Sequence, residues 1–83
     1  MHKIEFTRTA YRDFEKLDQK EKVKLKEILL NKVQPDPFSG KKLIGDLKGL
    51  FSVRLSYKDR IVYSIDQANN IIYIHRVKTH YGD

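Results

Sequence analysis

The chain has no cysteine and no tryptophan, one methionine and two prolines among 83 residues. Without cysteine there is neither a disulfide framework nor a thiolate zinc site, so the fold has to be held by its apolar core. At this length folding buries only about 60 to 65% of the chain's surface, and stability is expected to be modest. No apolar run approaches the roughly 20 residues of a membrane span, and the N-terminal MHKIEF lacks the apolar centre of a signal peptide. The expected location is the cytoplasm. GxxxxGK[ST], HExxH and GxSxG are all missing, which removes the commonest signatures of nucleoside triphosphate binding, zinc proteolysis and serine hydrolysis. His75 and His80 are five residues apart on an extended stretch, which points them to opposite faces, so neither a metal site nor a cofactor is expected.

Positive charge, by contrast, is abundant. Seventeen Lys and Arg against eleven Asp and Glu give a formal charge of +6, which points to a polyanion or an acidic protein as partner. Much of it falls on Lys20, Lys22, Lys24 and Lys26, whose first reading is a solvated helix face and whose second is a nucleic-acid or ribosome contact.

The hydrophobic pattern predicts one domain over residues 1–83 with the order β-α-α-β-β-β. Ile4 and Phe6 alternate with Lys3 and Glu5 in a first, edge strand. Thr7 or Thr9 can cap a short helix carrying Ala10, Phe14 and Leu17 at i, i+4, i+7. Asp18 and Glu21 have capping-box spacing before Leu25, Ile28, Leu29 and Val33, and this second helix must stop near Gln34 because Pro35 and Pro37 follow. The connector 35–49 holds three of the four glycines; Phe38 is expected to pin it to the core, and Leu43 and Ile44 to add a short strand. From Phe51 onward the chain reads as three consecutive antiparallel strands. Phe51, Val53 and Leu55 oppose Ser52, Arg54 and Ser56; Ile61, Tyr63 and Ile65 oppose Val62, Ser64 and Asp66; a loop at Asp66 to Asn70 precedes the run Ile71 to Ile74. The implied class is α+β, with two antiparallel helices on one face of a twisted antiparallel sheet and the other face left open as a concave basic surface.

On that surface the chemistry-bearing residues are Arg54, Arg60, Arg76, Lys78, His80 and Tyr81, with Lys41, Lys42 and Lys48 contributed by the connector. Cleaving RNA without a metal requires a base for the ribose 2′-OH, a cation for the phosphorane and an acid for the leaving oxygen. Histidine titrates near neutrality and suits the proton transfers. Arginine is a fixed cation with a planar fork of donors and suits the phosphorane, while tyrosine offers a stacking face and a hydroxyl. The plainer alternative pairs Arg54 and Arg60 with Asp46, Asp59 or Asp66, makes Tyr63 and Tyr73 core aromatics, and makes His75 a structural or edge histidine.

The stretch KLIGDLKGLFSVRLSYKDRIVYSID followed by His80-Tyr81 resembles the toxins of the RelE/ParE superfamily, nearest the RelE and YoeB-like mRNA interferases of bacterial type II toxin-antitoxin modules. The resemblance spans nearly the whole chain. Its carriers are Gly49 to Arg54, a G-x-(F/W)-S-x-R, then Arg60 to Tyr63, an R-(I/L)-V-Y, then the late His-Tyr. It implies the RelE-like, microbial-RNase-like fold, cleavage of mRNA in the A site of the 30S subunit by 2′-OH attack, and neutralisation by a cognate antitoxin. It further implies that Arg60 stabilises the phosphate, that His80 transfers a proton, that Tyr81 positions substrate, and that Arg54 stands at a basic position of related enzymes. Two departures leave the base open between His80 and a lysine. The connector glutamate of the YoeB-like branch is Lys41 here, and Gly82-Asp83 follow the His-Tyr. Two other functions are open to the chain: a ParE-like gyrase inhibitor, which shares the fold and needs no catalytic set but against which His80-Tyr81 argue, and a non-catalytic RNA- or ribosome-binding module.

Overall fold

The computed structural model describes residues 2–79. Local hydrogen-bond chemistry sets where each helix begins. After strand β1 (Lys3–Phe6), Thr7 Oγ1 accepts the Ala10 N–H at 3.2 Å and opens α1 (Arg8–Glu15). Asp18 Oδ1 accepts the Glu21 N–H at 2.7 Å while Glu21 Oε1 accepts the Asp18 N–H at 3.2 Å, a reciprocal cap that opens α2 (Gln19–Ile28). Such caps are worth about 1 kcal/mol each. The helix continues as one wide π turn over Leu29–Val33, closed by the Gln34 N–H on the Leu29 carbonyl, and stops there because Pro35 cannot extend it.

Four strands follow: β2 (Lys41–Lys42), β3 (Phe51–Arg54), β4 (Arg60–Asp66) and β5 (Ile71–Thr79), in the spatial order β1-β5-β4-β3-β2. β2 to β5 pair antiparallel as the sequence predicts, but β1 lies parallel to β5, so the sheet is mixed. Period-2 alternation says which face of a strand is buried and is silent on the direction of its neighbour. The connector strand sits at Lys41–Lys42, two residues before the expected Leu43 and Ile44. Leu43 is buried with its N–H on the Leu50 carbonyl, and Ile44 is left in solvent.

Both helices cover one face of the sheet. Ala10, Leu17, Leu25, Leu29 and Val33 meet Phe51, Val53, Leu55, Ile61, Tyr63, Ile72, Ile74 and Val77; all the strand residues but Val77, which follows a bulge, are those that alternation assigns to that side. Tyr63 anchors the connector. It is fully buried, stacks on Phe51 and donates its hydroxyl to the Pro37 carbonyl at 2.6 Å. An added Cβ at residue 40 would land on that hydroxyl, which explains glycine there. Phe38 is about half exposed and meets Phe51 edge-on, so Pro37, rather than Phe38, is the buried plug. Tyr73 is not in the core: it pairs with Ser64, on the face away from the helices.

β5 carries two bulges. Arg60 pairs with Thr79 but Ile61 with Val77, and Val62 pairs with Arg76 but Tyr63 with Ile74. Lys78, in left-handed backbone at φ 60°, and His75 are the extra residues. The Val77 N–H, released from regular pairing, is donated to Asp13 Oδ2 of α1 at 3.0 Å, and the same carboxylate takes Arg76 Nε at 2.8 Å and Nη2 at 3.4 Å.

Candidate functional site

The side of the sheet without helices is built from the alternate positions. Register places Lys41 opposite Ser52, Ser52 opposite Val62, and Arg54 opposite Arg60. Residues that pair directly share a face with their Cβ atoms about 4.5 to 5.5 Å apart. Lys41, Arg54 and Arg60 therefore gather at one end of this face, over a floor made by Ser52 and Val62. Val62 is fully buried yet stands apart from the helix-side core, as this geometry requires.

Like charges directly opposite each other destabilise a ladder. Here no carboxylate relieves them: among the described residues neither Arg54 nor Arg60 forms an ion pair. The three partners that the plainer reading offered are occupied elsewhere or distant. Asp59 accepts from the Ser56 hydroxyl, and Asp66 takes the backbone and side-chain amides of Asn69, whose bonds hold its carboxyl below the usual range. Asp46 lies exposed in the turn Gly45–Leu47. What this end of the sheet presents is an anion site made of fixed cations.

The other expected residues divide. Lys42 pairs with Phe51 and so starts from the opposite face; with Lys48 it borders a separate groove of about 440 Å³ floored by Leu43, Leu50 and Phe51. Arg76, expected among the RNA contacts, is held by Asp13. Burial alone would push the Asp13 carboxyl up, but the Arg76 and Val77 hydrogen bonds and the charges of Arg76 and Lys16 outweigh it and hold it below 3.8. Lys78, also expected there, reaches Glu21 at the start of α2 at 3.5 Å. Both are held by helix carboxylates beside the part of β5 that lies beyond Ile74, where its pairing with β1 ends. His80 and Tyr81 lie outside the described residues. Thr79, the residue before them, is the register partner of Arg60.

Further along the face, His75 Nε2 and Ser64 Oγ are 2.7 Å apart, and burial pushes the imidazole's pKa down, so it is neutral at neutral pH. That is the structural histidine the sequence suggested. Sequence reasoning overlooked Ser52, whose hydroxyl is buried beneath the cations with no hydrogen-bond partner among the described residues. The signal was available in the alternation that puts it beside Arg54. Among the described residues no group of three His, Asp or Glu is placed to ligate a metal, and no helix is long and apolar enough to cross a membrane.

A second surface lies behind β1. Ile4, Phe6, Phe14, Val23, Leu25, Leu29 and neighbours line a groove of about 480 Å³ whose rim carries Lys22 and Lys26, and Val23 and Leu30 are about half exposed.

Comparison with known proteins places this geometry. Residues 6–81 match the family model described as the YoeB-like toxin of bacterial type II toxin-antitoxin systems. Among solved structures, the chain is similar to one in the RelBE2 toxin-antitoxin complex of Mycobacterium tuberculosis (31% identity, 95% of this chain and 98% of that chain covered, TM-score 0.84). It is also similar to the YoeB dimer of Staphylococcus aureus (32% identity, 96% and 98% covered, TM-score 0.78). A chain of the intact E. coli RelBE complex shares the fold at 18% identity (98% and 99% covered, TM-score 0.82). No curated protein sequence matches.

Proposed function

Because the chain belongs to the YoeB-like toxins of bacterial type II toxin-antitoxin systems, we propose that it is an endoribonuclease that cleaves mRNA in the ribosomal A site, in the cytoplasm, by attack of a ribose 2′-OH. The 2′ oxygen bonds to phosphorus and the bond from phosphorus to the 5′ oxygen breaks, leaving a 2′,3′-cyclic phosphate and a free 5′-OH. One proton leaves the 2′-OH for a base, and one is delivered to the 5′ oxygen. Arg60 and Arg54 neutralise the charge that the phosphorane gains, and Lys41 draws the strand onto the same end of the sheet. By family resemblance His80 carries the proton transfer and Tyr81 positions the nucleotide. With a lysine at the connector position, the base is His80 or Lys41.

The observation that carries this reading is the Arg54–Arg60 pair, two guanidinium groups opposed across a ladder with no carboxylate paired to either among the described residues. Such a pair weakens a fold and suits one that binds phosphate. The test maps mRNA 5′ ends in translating extracts. The parent chain is expected to produce new ends within codons, and Arg60→Ala and His80→Ala are expected to produce none while still binding the antitoxin. Parent-like cleavage by both variants would assign the chemistry elsewhere.

The partner in the cell is then a cognate antitoxin. The M. tuberculosis relative was solved in complex with one. The groove behind β1, apolar in its floor and lysine-lined at its rim, suits an amphipathic acidic segment that orders on binding.

A further inference from the structure

Among the described residues, the Ser52 hydroxyl has nothing to bond. It is 2% exposed, its Oγ has no hydrogen-bond partner among the described residues, and an unsatisfied buried hydroxyl weakens a fold. Alanine would fill the same place in the strand without that penalty.

Its surroundings supply a use. Lys41 is its direct cross-strand partner, Arg54 is two residues along the same face, and Arg60 stands opposite Arg54. With Lys41 in its cationic form, all three are donor-only groups. A phosphate oxygen is satisfied by them, but a 2′-OH about to attack is not, because it must first direct its own O–H at a lone pair. Among the described side chains of this cluster, the Ser52 oxygen supplies that lone pair. We infer that Ser52 contacts the substrate: its Oγ accepts a hydrogen bond from the attacking 2′-OH and turns its own proton toward a phosphate oxygen. Lys41 and Arg54 are exposed and rich in rotamers, so a phosphate that draws them toward itself opens the way to the hydroxyl. Ser52 aligns the nucleophile and leaves proton removal to the base. The inference rests on the nuclease reading of the same face.

The test compares parent, Ser52→Ala, Ser52→Thr and Arg60→Ala in single-turnover cleavage of a short mRNA on ribosomes with an empty A site, alongside thermal unfolding. Ser52→Ala is expected to melt at or above the parent's temperature while its single-turnover rate falls about 10- to 100-fold. The toxin concentration giving half-maximal rate is expected to move by less than about twofold. Ser52→Thr, which keeps the hydroxyl, is expected to recover most of the rate. A serine that merely packs would lose rate only in step with melting temperature, and that result would overturn the inference, as would Ser52→Ala cleaving within about twofold of the parent. Absence of cleavage by the parent itself would overturn the nuclease reading and this inference together, whereas equal cleavage by parent and Ser52→Ala would overturn the inference alone.

Discussion

Individual side chains in this molecule separate into those that hold it together and those that strain it. Arg54 belongs to the second group. Removing one of two opposed guanidinium groups lifts a repulsion, so Arg54→Gln is expected to leave the melting temperature unchanged or raise it while lowering cleavage by about 10² to 10³. Parallel melting and rate measurements check both signs. Tyr63 belongs to the first group. Its hydroxyl fixes the Pro37 carbonyl, and Tyr63→Phe, which leaves that buried acceptor unmatched, is expected to cost about 1 to 3 kcal/mol in urea unfolding. Burial lifts the Tyr63 pKa from 10.0 to about 12, even though a backbone hydrogen bond from Gly40 opposes the rise; the Asp36 charge adds to it. A folded-state value above the unfolded one means stability is fully present below pH 10 and is lost as pH climbs toward 12. Tyr63→Phe should abolish that alkaline decline.

At the scale of elements, β5 and α1 are joined by one carboxylate. Asp13 takes two donors from Arg76 and one from Val77, at a bulge where the sheet itself leaves a backbone N–H unused. Asp13→Asn keeps an acceptor but not the charge, and is expected to cost about 1.5 to 3 kcal/mol at neutral pH. The folded-state carboxyl lies below 3.8, so its contribution is present above that pH and fades as pH falls through the folded value. Denaturation curves of parent and variant should accordingly converge in acid. These same elements mark where the sequence could be read. Both helix starts, the π-extended end before Pro35, the three antiparallel strands and the helix-side core follow from caps and from two periodicities, because those rules act over a few residues. That Arg54 and Arg60 share the open face follows from the same alternation, whereas their direct pairing depends on the turn that joins their strands. The parallel seat of β1 was hidden, since it joins residues 68 apart. So were the bulges of β5, each an uncounted residue, and the ties of Arg76 to Asp13 and Lys78 to Glu21, which join segments far apart in the chain.

For the molecule as a whole, a net charge of +6 makes association with RNA or an acidic partner dependent on ionic strength. Binding to programmed ribosomes should weaken log-linearly with salt, the slope counting the phosphates met, and Lys41→Ala should make that slope shallower by about one unit. The order of the sheet has a consequence for synthesis. β1 emerges first, yet among the described strands it pairs with β5, which follows the other four, so most of the described chain must be translated before the two can close. Until then the opposed arginines stand on an unfinished platform. A protein proposed to cut messages on ribosomes would therefore complete its cutting face only after most of its own synthesis is over.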